Sequence, residues 1–289
     1  MKKFYDKLFS GITYGAAFFT IAALVGIILS IFTEGIPILK KVGIFSTLFG
    51  MEWRPVDDPP IFGMWTLIVS SIYVTIGTLV VAIPLGLGSA IYISELAGRR
   101  TKEIIKPIIE LLAGIPSVIY GLVGIVFLSP FVMDTFGAPI GLNMFSASLI
   151  LGIMVIPIIS TMSEDALNAV PQNLRDASLS LGANKFETIY KVIIPAAKSG
   201  IIGSFILAFG RAIGETLVVL MVAGGSAQIP KSIFSPVRPM TAAIAAEMGE
   251  TVVGSDHYSS LFAIAIILFF ITFFSNIITE LVFFRKKKI

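Results

Sequence analysis

Arg211 and Glu215 stand four residues apart in the segment FGRAIGETLVVLMVAGG, residues 209–225, which is otherwise almost wholly apolar. A guanidinium is a planar fork of donors that matches two oxygens of an oxyanion, and it cannot be deprotonated in a protein. At the centre of a membrane span an arginine costs about 2.5–3.5 kcal/mol on insertion scales. One helical turn brings Glu215 onto the same face, so the two side chains pair. Neutralisation alone explains the pair poorly. Basic before acidic is the weaker order for supporting a helix, and two leucines would remove the desolvation cost altogether. The residue types and spacing therefore point to an anion passing Arg211. Glu215 either holds the fork in place and keeps it from trapping the anion, or, protonated, donates a hydrogen bond to it.

The solvent around this pair follows from composition. The chain has 289 residues, 56% hydrophobic and 13% charged, with a mean hydropathy of +0.94, whereas soluble domains carry about 25% charged residues. Apolar runs long enough for a ~30 Å hydrocarbon core lie at 8–33, within 59–94, at 111–133, within 135–163 from about residue 146, at 199–224 and at 258–279. Continuous rather than alternating apolar runs make these helices and not barrel strands. The expected fold is an all-α integral membrane protein of six spans. Residues 1–62 are a first span with an external loop, and 63–289 a five-helix core. Arg211 falls near the middle of the fifth span. With both termini in the cytoplasm, fifteen of the 21 basic residues lie inside, and only Lys40, Lys41, Arg54, Lys231 and Arg238 lie outside. That asymmetry is the positive-inside pattern. The first run is too long for a signal-peptide core and lacks a small-residue cleavage site, so it reads as a retained helix.

Several chemistries are disfavoured or excluded. No cysteine is present, so there is no disulfide or thiolate metal site. His257 is the lone histidine, and no metal-ligand cluster surrounds it in sequence. No G-x-x-x-x-G-K-[ST] phosphate loop occurs; the nearest Lys-Ser pair, Lys198-Ser199, follows Ala197. The chain reads as a non-enzyme with no catalytic residues, no metal and no cofactor of its own.

Other spans offer hydroxyls: Ser70, Ser71, Thr75 and Thr78 in the second, Ser117 and Tyr120 in AGIPSVIYG at the start of the third. Pro116 and Gly114 would break the helix there, which is tolerated where helix pieces line a cavity. Ser117 and Tyr120 are thus candidates for the path. The external loops 34–64 and 225–257 are rich in Pro and Gly and too short for a substantial core. Glu247, Glu250 and the stretch WRPVDDPP are placed to meet an external partner.

The longest cytoplasmic connection, about 165–198, reads as two short helices. Pro171 suits a first helical turn. Leu174, Ala177, Ser178 and Leu181 form a small apolar stripe at i, i+3, i+4 and i+7. Gly182 is a left-handed stop, Asn184 with Glu187 makes a capping box, and Pro195 ends or bends the second helix. Such a loop is more than a connector, and its stripe offers a ridge to a groove on a partner.

Asp176-Ala177-Ser178, three residues, Gly182, nine residues, then Val192-Ile193-Ile194-Pro195 resembles the EAA loop of ABC-transporter permeases. It departs by Asp for Glu, Ser for the second Ala, Val for Ile and Ile for Leu. The resemblance implies that this loop is the coupling helix, with Leu174, Asp176, Ala177, Ser178, Leu181 and Gly182 docking a separate ATPase subunit that carries ATP and Mg. FGMWTLIVSSIYVTIGTLVVAIPLGLGSAIYISELAGRR, IELLAGIPSVIYGLVG and GRAIGETLVVLMVAGG are similar to phosphate-specific members of that family, and W-x-P…FG (Trp53, Pro55, Phe62, Gly63) and AAEMGE…GS look more like the PstC type than its PstA partner. The resemblance implies a type I importer fold in the cytoplasmic membrane. It also implies a PstA-like second permease, a dimer of ATPase subunits, an extracytoplasmic phosphate-binding protein, and transport past Arg211 and Glu215. An importer of sulfate, molybdate or phosphonate, or a proton-coupled secondary anion transporter, would use the same charged pair.

Overall fold

The computed structural model describes residues 2–284. The C-terminal basic cluster, Arg285 to Lys288, lies outside the described residues, as do the side chains of Lys2, Lys3 and Lys7. Six described segments are long and apolar enough to cross a membrane: Phe9–Val42, Trp65–Leu96, Ser117–Phe136, Met144–Asn168, Lys185–Ile213 and Asp256–Ile278.

Helix α1 (Lys2–Val42) continues well past the predicted end of the first span. It leads through the short α2 (Ile44–Phe49) to a two-stranded hairpin, β1 (Trp53–Arg54) and β2 (Ile61–Phe62). The second span is α3 (Trp65–Ile91) with a π turn at Tyr92–Leu96. An amphipathic helix not foreseen from the sequence follows, α4 (Arg99–Ala113). Its charged first half conceals the pattern, and its last three residues had been read as the opening of the third span. That span instead begins after a break at Gly114–Pro116, as α5 (Ser117–Val123), a π turn and α6 (Ser129–Phe136).

Helix α7 (Met144–Asn168) is the central span and packs most extensively on α3. The contact is close because glycines face it. A Cβ added at Gly86 would lie 2.7 Å from Cβ of Ile159, and one at Gly152 would lie 2.9 Å from Cβ of Val81. Small residues of this kind let helix backbones approach where no hydrophobic force drives association. The hydroxyls of Thr75 and Thr78 bond their own helix at 2.7 and 2.8 Å, and Ser70, Ser71, Thr75 and Thr78 are all buried. All four lie inside the packed bundle and line no open path; Ser71 and the two threonines bond backbone groups, whereas Ser70 Oγ is buried without a hydrogen-bond partner.

The connection expected to be cytoplasmic folds as α8 (Gln172–Ser180) and α9 (Lys185–Thr188). A π turn at Ile189–Ile193 and α10 (Ile194–Ile213) follow. Gly182 is left-handed at φ +85°, and the Asn184–Glu187 capping box is formed in both directions. Two details differ from expectation. Pro171 is the N-cap rather than a first-turn residue. Pro195 neither ends nor bends the second helix apart from the span: it sits at the first turn of α10, and the π turn before it carries one helical path from Lys185 to Ile213. A proline at a first turn lacks only an N–H that would be orphaned anyway.

After α10 come α11 (Leu217–Val222), α12 (Met240–Glu247) and α13 (Asp256–Phe284), which packs on α1 and α10. The external loops, expected to be too short for a substantial core, pack on the ends of the spans. Trp53 and Phe62 of the hairpin, Ile38, Met64, Leu67, Met240 and Leu261 are buried in one apolar cluster. Tryptophan and phenylalanine bring enough area for few residues to suffice.

Candidate translocation site

The helix carrying Arg211 does not run unbroken through residue 224, and Arg211 is not at its middle. Helix α10 ends at Ile213, Arg211 lies in its last turn, and the chain breaks at Gly214–Thr216 before α11 starts. Glu215 therefore precedes the second helix piece. Its carboxylate reaches back to Arg211 (Nη2 to Oε2, 3.5 Å) and forward to the backbone N–H of Val218, also at 3.5 Å. Carbonyls ending a helix carry partial negative charge and N–H groups opening one carry partial positive charge. A cation on the first end and an anion at the second are each favoured, so the order that is poor within a helix is the right one across a break.

The two partners differ in exposure. The Glu215 side chain is 4% exposed and that of Arg211 is 53% exposed. Thr241 at the start of α12 donates to the Glu215 carbonyl at 2.6 Å, and Met240 N–H donates to Ser71 Oγ at 2.8 Å. Glu215 is thus tied to α12, which is itself tied to α3, while the guanidinium remains open on the flank of this single chain.

Ser117 opens α5, which packs beside α11. Gly121 approaches Met221 and Gly124 approaches Val222, so the two helices run in the same direction and their starts lie at similar depth. The break before Ser117 and the break holding Glu215 consequently share one level of the bundle. Ser117 is partly exposed there. Tyr120 is different: its ring is buried and its hydroxyl donates to the Leu112 carbonyl at 2.9 Å, bridging the Gly114–Pro116 break. It braces the start of the span and offers no hydroxyl to a passing solute in this structure.

In the connection between the fourth and fifth spans, Leu174, Asp176, Ala177, Leu181 and Gly182 are exposed, as are Leu179, Phe186 and Tyr190, which the stripe reading missed. Ser178 departs from expectation. It faces inward and hydrogen-bonds Thr188 at 2.9 Å, fastening α8 to α9 instead of joining the outer ridge. Sequence periodicity marks a shared face but not which side of a nine-residue helix turns outward.

Glu247 also departs from its expected role toward an external partner. Both its oxygens accept from Trp53 Nε1 (3.1 and 3.0 Å), Oε1 meets Arg238 at 2.7 Å, and Oε2 meets His257 at 2.8 Å. It joins the hairpin, the 225–239 loop, α12 and the start of α13. Glu250 is exposed. Glu247→Ala is expected to leave a half-buried Arg238 and the Trp53 N–H without their acceptor. A loss of about 2–4 kcal/mol is expected from a broken, partly buried ion pair, seen as a lowered melting temperature in detergent that Glu247→Gln reproduces only in part.

Residues 82–288 match the family described as the binding-protein-dependent transport system inner membrane component. The chain belongs to that family. It is 36% identical to the phosphate transport system permease protein PstC of Mesorhizobium japonicum, covering 93% of this chain and 86% of that one. It is 33% identical to the probable ABC transporter permease protein YqgH of Bacillus subtilis, over 96% and 90%. Among solved structures, it resembles a chain of a bacterial alginate ABC transporter at a TM-score of 0.68 and 14% identity, covering 96% and 95%. It also resembles a chain of the MetNI methionine ABC transporter at 0.55 and 20%, covering 76% and 94%. These likenesses establish the type I permease fold. The chain is a multi-pass membrane component of an ABC transporter.

Proposed function

We propose that this chain is the PstC-type permease of an importer that moves inorganic phosphate into the cytoplasm. Relatives named as phosphate permeases, at 32–36% identity over most of the chain, supply the choice of anion. The observation that carries the mechanism is the asymmetric pair: an open Arg211 guanidinium held from below by a buried Glu215 at a helix break. Phosphate meets the fork with two oxygens. Glu215 competes for the same cation, so the contact orients the anion without becoming a deep well. Ser117, at the same level, adds a hydroxyl.

The flank bearing Arg211 faces a second, PstA-like permease, and the passage runs between the two chains. An extracytoplasmic phosphate-binding protein delivers the anion to the external cap. A dimer of ATPase subunits docks at α8, through Leu174, Asp176, Ala177, Leu181 and Gly182, and ATP and Mg act there and not on this chain. Both termini lie in the cytoplasm, and residues 1–62 add a first span and an external loop to the five-helix core 63–289.

The test is uptake by the assembled complex in proteoliposomes. ATP-dependent accumulation of radiolabelled phosphate is expected, with sulfate and molybdate failing to compete in tenfold excess. Competition by sulfate would move the assignment to another oxyanion. Uptake without the ATPase subunits, driven by a proton gradient, would sink the importer reading.

A further inference from the structure

The cytoplasmic ends of the spans hold a set of charged side chains that neither docking nor anion contact uses. Arg175 projects inward from α8. Its guanidinium meets Glu95 at 2.8 Å and the Leu167 carbonyl at 2.9 Å, and also bonds the Val170 carbonyl. Glu95 accepts from Ser94 Oγ at 3.2 Å, and the Ser94 hydroxyl reaches Asn168 Oδ1 at 2.9 Å. Asn168 Nδ2 donates to Glu164 Oε1 at 3.2 Å. Glu164, only 3% exposed, is held by Lys102 and Lys106 of α4, each at 3.2 Å. One continuous polar chain thus runs from α8, across the ends of α3 and α7, to α4.

We propose that Arg175, Glu95, Asn168, Glu164, Lys102 and Lys106 are positioning residues that carry the displacement of α8 to α4, and through α4 to the helix break before Ser117. This rests on the reading of α8 as the ATPase-docking helix. Three observations carry it. The inner face of α8 is fastened by polar groups, Arg175 meeting Glu95 and Ser178 meeting Thr188. Two lysines, each 36% exposed, meet one carboxylate that is 3% exposed, and parting both from it would leave a buried charge alone. A cleft of about 450 Å³, lined by Glu95, Asn168, Gln172 and Arg175 on one hand and Leu179 and Ile189 on the other, leaves room beside the chain for α8 to shift. Helix α4 is the element so moved. It contacts the bundle mainly at α7 and the π turn after α3, and it ends three residues before the third span.

The test uses the complete complex in proteoliposomes, with phosphate uptake and ATP hydrolysis measured together, with and without the binding protein. Glu164→Gln keeps size and removes charge. Phosphate moved per ATP hydrolysed is expected to fall about tenfold, as for residues that couple distant sites, and stimulation of hydrolysis by the binding protein is lost. Unstimulated hydrolysis stays within about twofold of wild type, and the ATPase subunits co-purify normally. Lys102→Gln with Lys106→Gln gives the same phenotype, and the triple variant is no worse than either. Glu95→Arg and Arg175→Glu each uncouple, and together they restore stimulation. Parallel loss of transport and hydrolysis, additive losses in the triple variant, an unchanged coupling ratio or an ATPase lost from the complex would each overturn the relay. If the wild-type complex carries sulfate rather than phosphate, the substrate assignment fails while stimulation still reads the relay.

Discussion

Replacing Arg211 by lysine is expected to lower phosphate uptake by about ten- to a hundredfold, the equivalent of one charged hydrogen bond at about 1.5–3 kcal/mol. The lysine keeps a cation beside Glu215, which is 4% exposed, so the buried carboxylate retains a counter-charge and the fold is undisturbed. What is lost is the second, parallel N–H contact of the fork. Arg211→Ala is more severe for a mixed reason, because it also strands Glu215 and frees its contact to Val218 N–H. The lysine variant therefore decides the mechanism. Uptake is measured in proteoliposomes, with melting temperature and ATP hydrolysis as controls, and both controls are expected to match wild type. Wild-type uptake by Arg211→Lys would reduce the arginine to a point charge. Restored uptake in Arg211→Ala with Glu215→Ala would remove the pair from the path altogether.

The spans were legible because each is a long, predominantly apolar run, and a run of that kind in lipid has only one backbone solution. The breaks were less legible. Gly210, Gly214 and the basic-before-acidic order in GRAIGET together mark a helix end followed by a helix start. Taken singly they read as an arginine stranded at mid-span. Helix α4 was hidden for a related reason: its apolar residues Ile104, Ile108 and Leu111 are spaced for one face, but they straddle Pro107 and merge into the apolar run beyond. The coupling loop was legible in detail because caps and left-handed glycines are set by local backbone chemistry. Which way Ser178 and Arg175 turn is set by tertiary partners, Thr188 and Glu95, and neither is near enough in sequence to be inferred. The same holds for Glu164, which sits among residues that read as the start of a solvated loop, yet is buried against two lysines some sixty positions away.

Leu181→Asp is expected to detach the ATPase subunits while leaving the permease folded. Leu181 is 89% exposed, so the folded chain gains nothing from its burial and the substitution falls within about 0.5 kcal/mol for stability. An 89%-exposed leucine beside exposed Leu179, Phe186 and Tyr190 is an apolar patch on a helix pair that ends in water, and patches of that kind mark interaction sites. In a docked groove an aspartate would be buried with no cation opposite it on this chain. Loss of a central anchor costs 2 kcal/mol or more, and the unpaired charge adds to that, so binding is expected to weaken by at least about a hundredfold. Pull-down of the ATPase subunits from solubilised membranes reads the loss directly, and uptake falls with it. Glu164→Gln supplies the contrast, since it uncouples without detaching. An aspartate at position 181 that leaves the ATPase bound would place docking elsewhere on the cytoplasmic face and leave the exposed ridge of α8 without a partner.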